Sequence, residues 1–235
     1  MRSNKTDVSV HQGVQIATNY PGTFSAMRSD GSCAVGGSRA GLILMAGRMV
    51  LLRHGQTEWS RSGRHTGKTD VPLLEEGRTQ AKAAGEMMRS LASVTFERVL
   101  TSPLARASES CTLAGFQGEP ESDLMEWDYG EYEGLTTSEI RKGHPGWSLW
   151  DDGVQGGESV GEVGRRADRV IALARQGDGD TLCVAHGHLL RILAVRWLGL
   201  PPVAGRFLGL DPGGVSVLDW ERDTPVIRTW NVNAA

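Results

Sequence analysis

Apolar residues along this chain gather into short unbroken runs and into stretches where they recur every three or four positions. The first run, Met49, Val50, Leu51 and Leu52, has strand length and no polar alternation, as a strand covered on both faces requires. Ala81, Ala84, Met88 and Leu91 recur at helical spacing and predict a helix over 75–91. Its start is weakly signalled, because Leu74 stands where a capping Ser or Thr is favourable. Residues 96–101 predict a second strand, with Ser102 as N-cap and Pro103 as first residue of a helix reaching about 114. A short strand is expected to end near Leu124. Val160, Val163, Ala167, Val170 and Ala174 mark a long amphipathic helix. Residues 181–185 form another buried run, 189–198 a helix apolar nearly all round, and 215–220 with 226–230 a terminal hairpin about a polar turn. Strands alternating with helices predict an α/β fold, a doubly wound, mostly parallel sheet with helices on both faces and right-handed crossovers.

Residues 1–44 show no sustained period and are rich in Gly, Ser, Asn and Asp, which predicts a disordered extension. Met45 and Met49, directly before the first strand, make a start assigned too far upstream the rival reading. Residues 45–235 are expected to form a single domain, since 235 residues have room for one full α/β domain and its core. With 25 basic against 28 acidic residues, charge makes no global case for nucleic acid or for an anionic membrane. Locally, Arg61, Arg64, His65 and Lys68 form either a solvated loop or a site for a phosphorylated ligand. Cys33, Cys111 and Cys183 show neither close-spaced metal pairs nor an even disulfide set, which fits reduced thiols in a cytoplasmic protein, with Cys183 in the core. The longest apolar window, 41–52, is too short to span a bilayer and contains Arg48.

Arg53 and His54 stand where the first strand passes into a loop, at the edge where open α/β sheets gather their ligands. An imidazole beside a guanidinium suits covalent phosphate chemistry, the ring nitrogen attacking phosphorus while the guanidinium holds the oxygens by paired charge-assisted bonds. Alone, such a pair is more often a surface feature after a core strand. Parallel topology strengthens it, because the same edge receives Arg106, near the start of the helix after 96–101, and His186, after 181–185. Glu126, following its short strand, can join them. Two imidazoles, two guanidiniums and one carboxylate describe a site for a phosphoryl group. A metal held by His186 and His188 is disfavoured, since alternate strand-end residues point oppositely and no third ligand stands at convincing spacing. His188 is read as a packing or helix-start residue, and Glu58 as solvated or supporting. Trp127, Tyr129, Tyr132, Trp147 and Trp150 form a satellite core under a long loop, an aromatic wall over the site, or both.

In order and context, Arg53-His54-Gly55, Arg106 after Thr101-Ser102-Pro103-Leu104-Ala105, Glu126 and His186-Gly187 resemble the catalytic set of the histidine phosphatase superfamily, in its phosphoglycerate mutase-like branch. The resemblance runs from residue 49 to about 230. The longer strings around it, Gln56-Thr57-Glu58-Trp59-Ser60, Thr66-Gly67, Glu126 to Gly134 and His186-Gly187-His188, are most similar to broad-specificity acid phosphatases of actinobacteria and to fungal-type sedoheptulose-1,7-bisphosphatases. It implies His54 as nucleophile, Arg53, Arg106 and His186 around the phosphoryl oxygens, and Glu126 as general acid. It implies further substrate contacts from Ser60, Thr66, Gly67, Tyr129 and the backbone of Gly187, with Ser60 standing where Asn is common. The activity implied is a phosphomonoester hydrolase for small phosphorylated metabolites, sugar phosphates among them, with no cofactor, no metal, and no nucleic acid or membrane partner. A phosphoglycerate mutase is the first alternative. Its basic substrate-holding residues are replaced here by Trp127, Thr137 and the Asp151-Asp152 region, which favours hydrolysis. A catalytically silent phosphate-binding module is the second, and it predicts the loss of a nucleophile or acid that this chain retains. The particular metabolite and any homo-oligomer stay open.

Overall fold

The computed structural model describes residues 47–91 and 95–233. The expectation for residues 1–44, and Cys33 with it, lies outside them. Among the described residues six strands form one sheet: β1 (Met49–Arg53), β2 (Phe96–Thr101), β3 (Glu119–Pro120), β4 (Asp180–Ala185), β5 (Val215–Glu221) and β6 (Thr224–Val232). Their order is β3-β2-β4-β1-β5-β6. The first four run parallel, β5 pairs antiparallel with β1, and β6 antiparallel with β5, so the predicted hairpin forms one edge of a mostly parallel sheet. The helices are α1 (Glu58–Ser62), α2 (Glu75–Leu91), α3 (Ala105–Leu113), α4 (Thr137–Gly143), α5 (Leu149–Asp152), α6 (Val160–Ala174) and α7 (Gly187–Trp197).

The unbroken apolar run of β1 has a direct cause, since successive strand side chains point to opposite faces. Met49 and Leu51 join a buried cluster with Val163, Ala167 and Val170 of α6 and Leu189 and Leu193 of α7. Val50 and Leu52 join the other, with Ala84 and Met88 of α2 and Cys111 of α3. The strand is therefore enclosed on both faces by helices, and truncating a fully buried side chain such as Leu51 to Ala would cost about 2–5 kcal/mol. Cys183 sits in this core, where burial pushes its thiol up to about 12 and leaves it unreactive.

The hydrogen-bond ladder continues beyond the strand ends. Arg53 pairs with Ala185 and Thr101 with Val184. One residue further on, the His54 N–H donates to Ala185 O and the Ser102 N–H to Val184 O, both at 2.9 Å. His54, Ser102 and His186 thus leave three neighbouring strands side by side. Behind them a Cβ on Gly55 would lie 2.0 Å from Gly77 O, so α2 closes on this loop at a distance that only glycine allows.

Three elements differ from the sequence pattern. Helix α3 begins at Ala105 rather than Pro103: Leu104 occupies the N-cap without a side-chain bond, and the Ala105 N–H is taken by Asp70 Oδ1 at 2.9 Å. The cap comes from another loop, and the Ser102 hydroxyl, which accepts from Leu104 N at 3.3 Å, keeps its hydrogen for the site. Leu124 ends a 3-10 turn (Ser122–Leu124) rather than a strand, because the Glu121 side chain accepts from Asp123 N and bends the chain. Helix α7 starts at Gly187, two residues before the apolar pattern begins, since His186 occupies the N-cap and His188 fills the first turn.

Candidate active site

His54 carries a fixed tautomer. Its Nδ1 lies 2.7 Å from Gly55 O, and a carbonyl only accepts, so the ring proton sits on Nδ1 and the electron pair on Nε2. Burial, reinforced by Arg53 and Arg106, pushes its pKa well below 6.5 and keeps the ring neutral. The ring lines a pocket of about 290 Å³ together with Arg53, Glu126, Tyr129, Gly187 and Arg191.

Around it stand three cationic or proton-bearing groups. Arg53 ends β1 and donates through Nη1 to Leu210 O. Arg106, fully buried in the first turn of α3, donates through Nη1 to Thr69 O at 2.8 Å and through Nη2 to Gly67 O at 2.8 Å and Thr66 O at 3.2 Å. The loop 66–69 therefore clamps that guanidinium. His186 places Nε2 2.7 Å from Ser102 Oγ, and burial, followed by Arg106, His54 and Arg53, pushes its pKa well below 6.5. Arg53 Nε, Arg106 Nε and His186 Nδ1 are buried without a partner, and neither arginine has an ion pair among the described residues. Burial lowers the pKa of both guanidiniums, with Glu126 the foremost opposing charge. A buried polar group left unsatisfied costs about 1–3 kcal/mol, so a cluster of three marks a place prepared for acceptor oxygens.

Glu126 is held by three backbone donors. Oε1 accepts from Trp127 N at 2.9 Å and Leu189 N at 3.0 Å, and Oε2 from His188 N at 3.1 Å. Two of these N–H groups belong to the first turn of α7, whose N-cap, His186, makes no side-chain cap bond. The carboxylate thus supplies from a distant loop the capping that an N-terminus needs.

Of the remaining expected substrate contacts, Ser60, Thr66, Tyr129 and Gly187 line the pocket and Gly67 does not. The Gly67 N–H is taken by Glu133 Oε1 at 2.9 Å and its carbonyl by Arg106. The Ser60 hydroxyl is engaged in a capping box with Thr57 at the start of α1. Arg106 and His186 are enclosed rather than pocket-lining. Of the local basic cluster, Arg64 and His65 face the pocket, while Arg61 pairs with Glu58 and Lys68 with Asp128 at 2.5 Å. The aromatic group divides: Trp127 and Trp147 are core, whereas Tyr129 is both core and wall, its hydroxyl 2.7 Å from His188 Nδ1.

The sequence reading missed Arg191, a lining residue stacked 4.8 Å over Trp150, with Nε and Nη2 donating to Gly205 O and Arg206 O. Its signal was legible, a lone arginine among the apolar residues of 189–195. Of the two arginines on the wall, Arg64 is paired with Glu139 while Arg191 has no ion pair among the described residues, so Arg191 keeps positive charge at the pocket that Trp127 and Thr137 alone would not suggest. Asp151 does not line the pocket, and its negative charge is balanced by Arg206. A larger depression of about 670 Å³ beside Tyr132, His144 and Trp147 contains no cationic cluster.

Among the described residues no group of three or more His, Cys, Asp or Glu is placed to hold a metal ion, and no helix is long and apolar enough to cross a membrane. A neutral imidazole with a free electron pair, beside buried guanidinium nitrogens without partners at the carboxyl edge of a parallel sheet, has the chemistry that phosphoryl transfer requires. Residues 49–233 match the histidine phosphatase superfamily (branch 1), and the chain belongs to that family. It is similar to an acid phosphatase of Mycobacterium tuberculosis, 42% identical over 177 residues that cover 74% of this chain and 87% of the relative. It is also similar to the sedoheptulose 1,7-bisphosphatase of Saccharomyces cerevisiae, 36% identical over 185 residues covering 65% of this chain and 68% of the relative. A functionally characterised reading frame of Mycobacterium tuberculosis, solved as a structure, superposes with a TM-score of 0.76 at 38% identity, covering 80% of this chain and 99% of that one.

Proposed function

We propose that this phosphatase hydrolyses small phosphorylated metabolites, sugar phosphates above all, through a phosphohistidine on His54. The observation that carries the reading is the set of buried nitrogens without partners, the donors Arg53 Nε and Arg106 Nε together with His186 Nδ1, beside a ring whose Nε2 is deprotonated. These donors receive the non-bridging oxygens and stabilise the charge that grows in the transition state. Nε2 attacks phosphorus as the bond to the leaving oxygen breaks, and Glu126 gives that oxygen a proton. Water then attacks the phosphohistidine, Glu126 takes a proton from it, the P–N bond breaks and His54 is restored. No metal or cofactor is needed for either half. The pocket volume of about 290 Å³ suits a small metabolite, and Arg191, Arg64, His65 and Thr137 offer hydrogen bonds and charge to the part of it beyond the phosphoryl group. The yeast relative named for a sugar bisphosphate supports the same substrate class.

Arg191, a cation on the pocket wall with no ion pair among the described residues, favours a second reading, a mutase that retains its phosphorylated intermediate. One assay separates the two: 3-phosphoglycerate with a trace of 2,3-bisphosphoglycerate, measuring 2-phosphoglycerate against free phosphate. Beside it, turnover over sugar mono- and bisphosphates, phosphoglycerates and nucleotides is measured with EDTA present. Phosphate release that EDTA leaves intact is the expected result. Rapid isomerisation without phosphate release would overturn it.

A further inference from the structure

His186 has two ring nitrogens in contrasting surroundings. Nε2 is 2.7 Å from Ser102 Oγ, and Nδ1 is buried without a partner. Which nitrogen carries the proton decides whether the ring meets a phosphoryl oxygen as donor or as repelling lone pair, so the partner at Nε2 has a chemical consequence.

The bonds around Ser102 settle its direction. Its hydroxyl oxygen accepts from Leu104 N at 3.3 Å, and its own N–H is spent on Val184 O. The residue is fully buried, which excludes solvent as an acceptor. Among the described residues the hydroxyl hydrogen has one acceptor in reach, His186 Nε2. Were Nε2 instead protonated and donating, Ser102 would accept twice with its own hydrogen stranded, and Nδ1 would turn an electron pair toward the anion. Two buried groups would be left unsatisfied where the opposite arrangement leaves one, and that one is the donor the phosphoryl group completes.

We propose that Ser102 is a positioning residue that donates to His186 Nε2 and thereby fixes the ring proton on Nδ1, so that a neutral His186 is a hydrogen-bond donor to the phosphoryl group. The proposal rests on the phosphohistidine reading for its kinetic consequence but not for its structural one. Ser102 belongs to the loop after β2 and His186 to the end of β4, and their contact depends on the adjacent register of those strands. The cap of α3 does not compete for the hydroxyl, because Asp70 supplies it.

The test is the nitrogen-15 spectrum of the ring in the full chain labelled at histidine, with His186 assigned by comparison with His186→Asn. The expected result is a protonated Nδ1 and an unprotonated Nε2. A protonated Nε2 in the unsubstituted protein would overturn the proposal whatever the activity proves to be. Ser102→Ala should release the tautomer, giving a mixture of both ring forms, and kcat and kcat/KM should fall together by about tenfold, as befits a lost bond that matters in the transition state. A Ser102→Ala protein with the original tautomer and undiminished kcat would equally refute it. Should His54→Ala retain full activity, the phosphohistidine reading fails while the spectrum still decides the role of Ser102.

Discussion

His54 and His186 meet edge to face, their ring centroids 5.1 Å apart and their planes at 61°. The two rings are held by different means, His54 by the carbonyl of its own neighbour and His186 by a serine 84 positions away. The first bond leaves His54 an unshared electron pair on Nε2. With the proton of His186 on Nδ1, the pair offers a nucleophile and a donor without either ring bearing charge.

Replacing His54 by Ala is expected to lower turnover at least about a thousandfold, as removal of a nucleophile does elsewhere. Brief exposure of the unsubstituted protein to substrate should leave an acid-labile, base-stable phosphate on this residue. Full activity in the variant would remove the basis of the mechanism.

The pH dependence follows from three buried imidazoles, His54, His186 and His188, whose folded pKa values lie well below 6.5 chiefly through burial. Unfolded, each binds a proton near 6.5; folded, each resists until a lower pH. Between those limits the unfolded chain holds more protons, so the stability they contribute is complete above about 6.5 and is lost as pH falls toward the folded values. His54 stays neutral in the same window. Tm should therefore decline below about pH 6.5 while the histidine-controlled acid limb of kcat/KM lies lower. Coincident declines starting at 6.5 would contradict the burial argument.

Glu126 is expected to separate chemistry from stability. Glu126→Gln keeps acceptor capacity toward the Leu189 and Trp127 N–H groups, so its Tm should stay within a few degrees of the parent. Glu126→Ala uncaps α7 and should lose about 1 kcal/mol, a shift of about 2–4 °C for a domain of this size. Both should slow sugar phosphate turnover strongly and nitrophenyl phosphate less, because a good leaving group needs little protonation. Equal losses on the two substrates would make Glu126 purely structural.

Arg191→Gln is expected to raise KM for a sugar bisphosphate by about tenfold or more while changing nitrophenyl phosphate little, since a bond to a charged group contributes about 1.5–3 kcal/mol. Steady-state kinetics on the two substrates provide the check. Equal effects on both would place Arg191 at the reacting phosphate instead.

Most of the sheet was legible because its strands obey local rules. The runs at 49–52 and 181–185 are apolar for the reason that both faces are covered, and β2, more polar and with Glu97 exposed, still begins and ends where its sequence pattern does. The period of Val163, Ala167, Val170 and Ala174 survives unchanged as the buried stripe of α6. What escaped the sequence depends on partners far along the chain. Ser102 looked like a helix cap because serine before proline usually is one, and only the placement of Asp70 and His186 shows otherwise. Gly67 was assigned to substrate by position, whereas its backbone is consumed by Glu133 and Arg106. Arg191 needed no distant partner to be noticed, only the question of why an apolar helix should carry a cation.

The bond between Glu126 and the first turn of α7 bears on descent as well as on catalysis. Active-site groups are commonly a burden on stability that drift can discard once activity is no longer selected. This glutamate is different, since losing it would loosen a helix that packs against the central sheet. A descendant that had abandoned phosphate chemistry would still be under pressure to keep it, while His54, whose ring among the described residues is bonded only to the carbonyl of the next residue, would be free to change. Among kin of this chain, then, the histidine is the better witness of living activity, and the surviving acid testifies mainly to the fold.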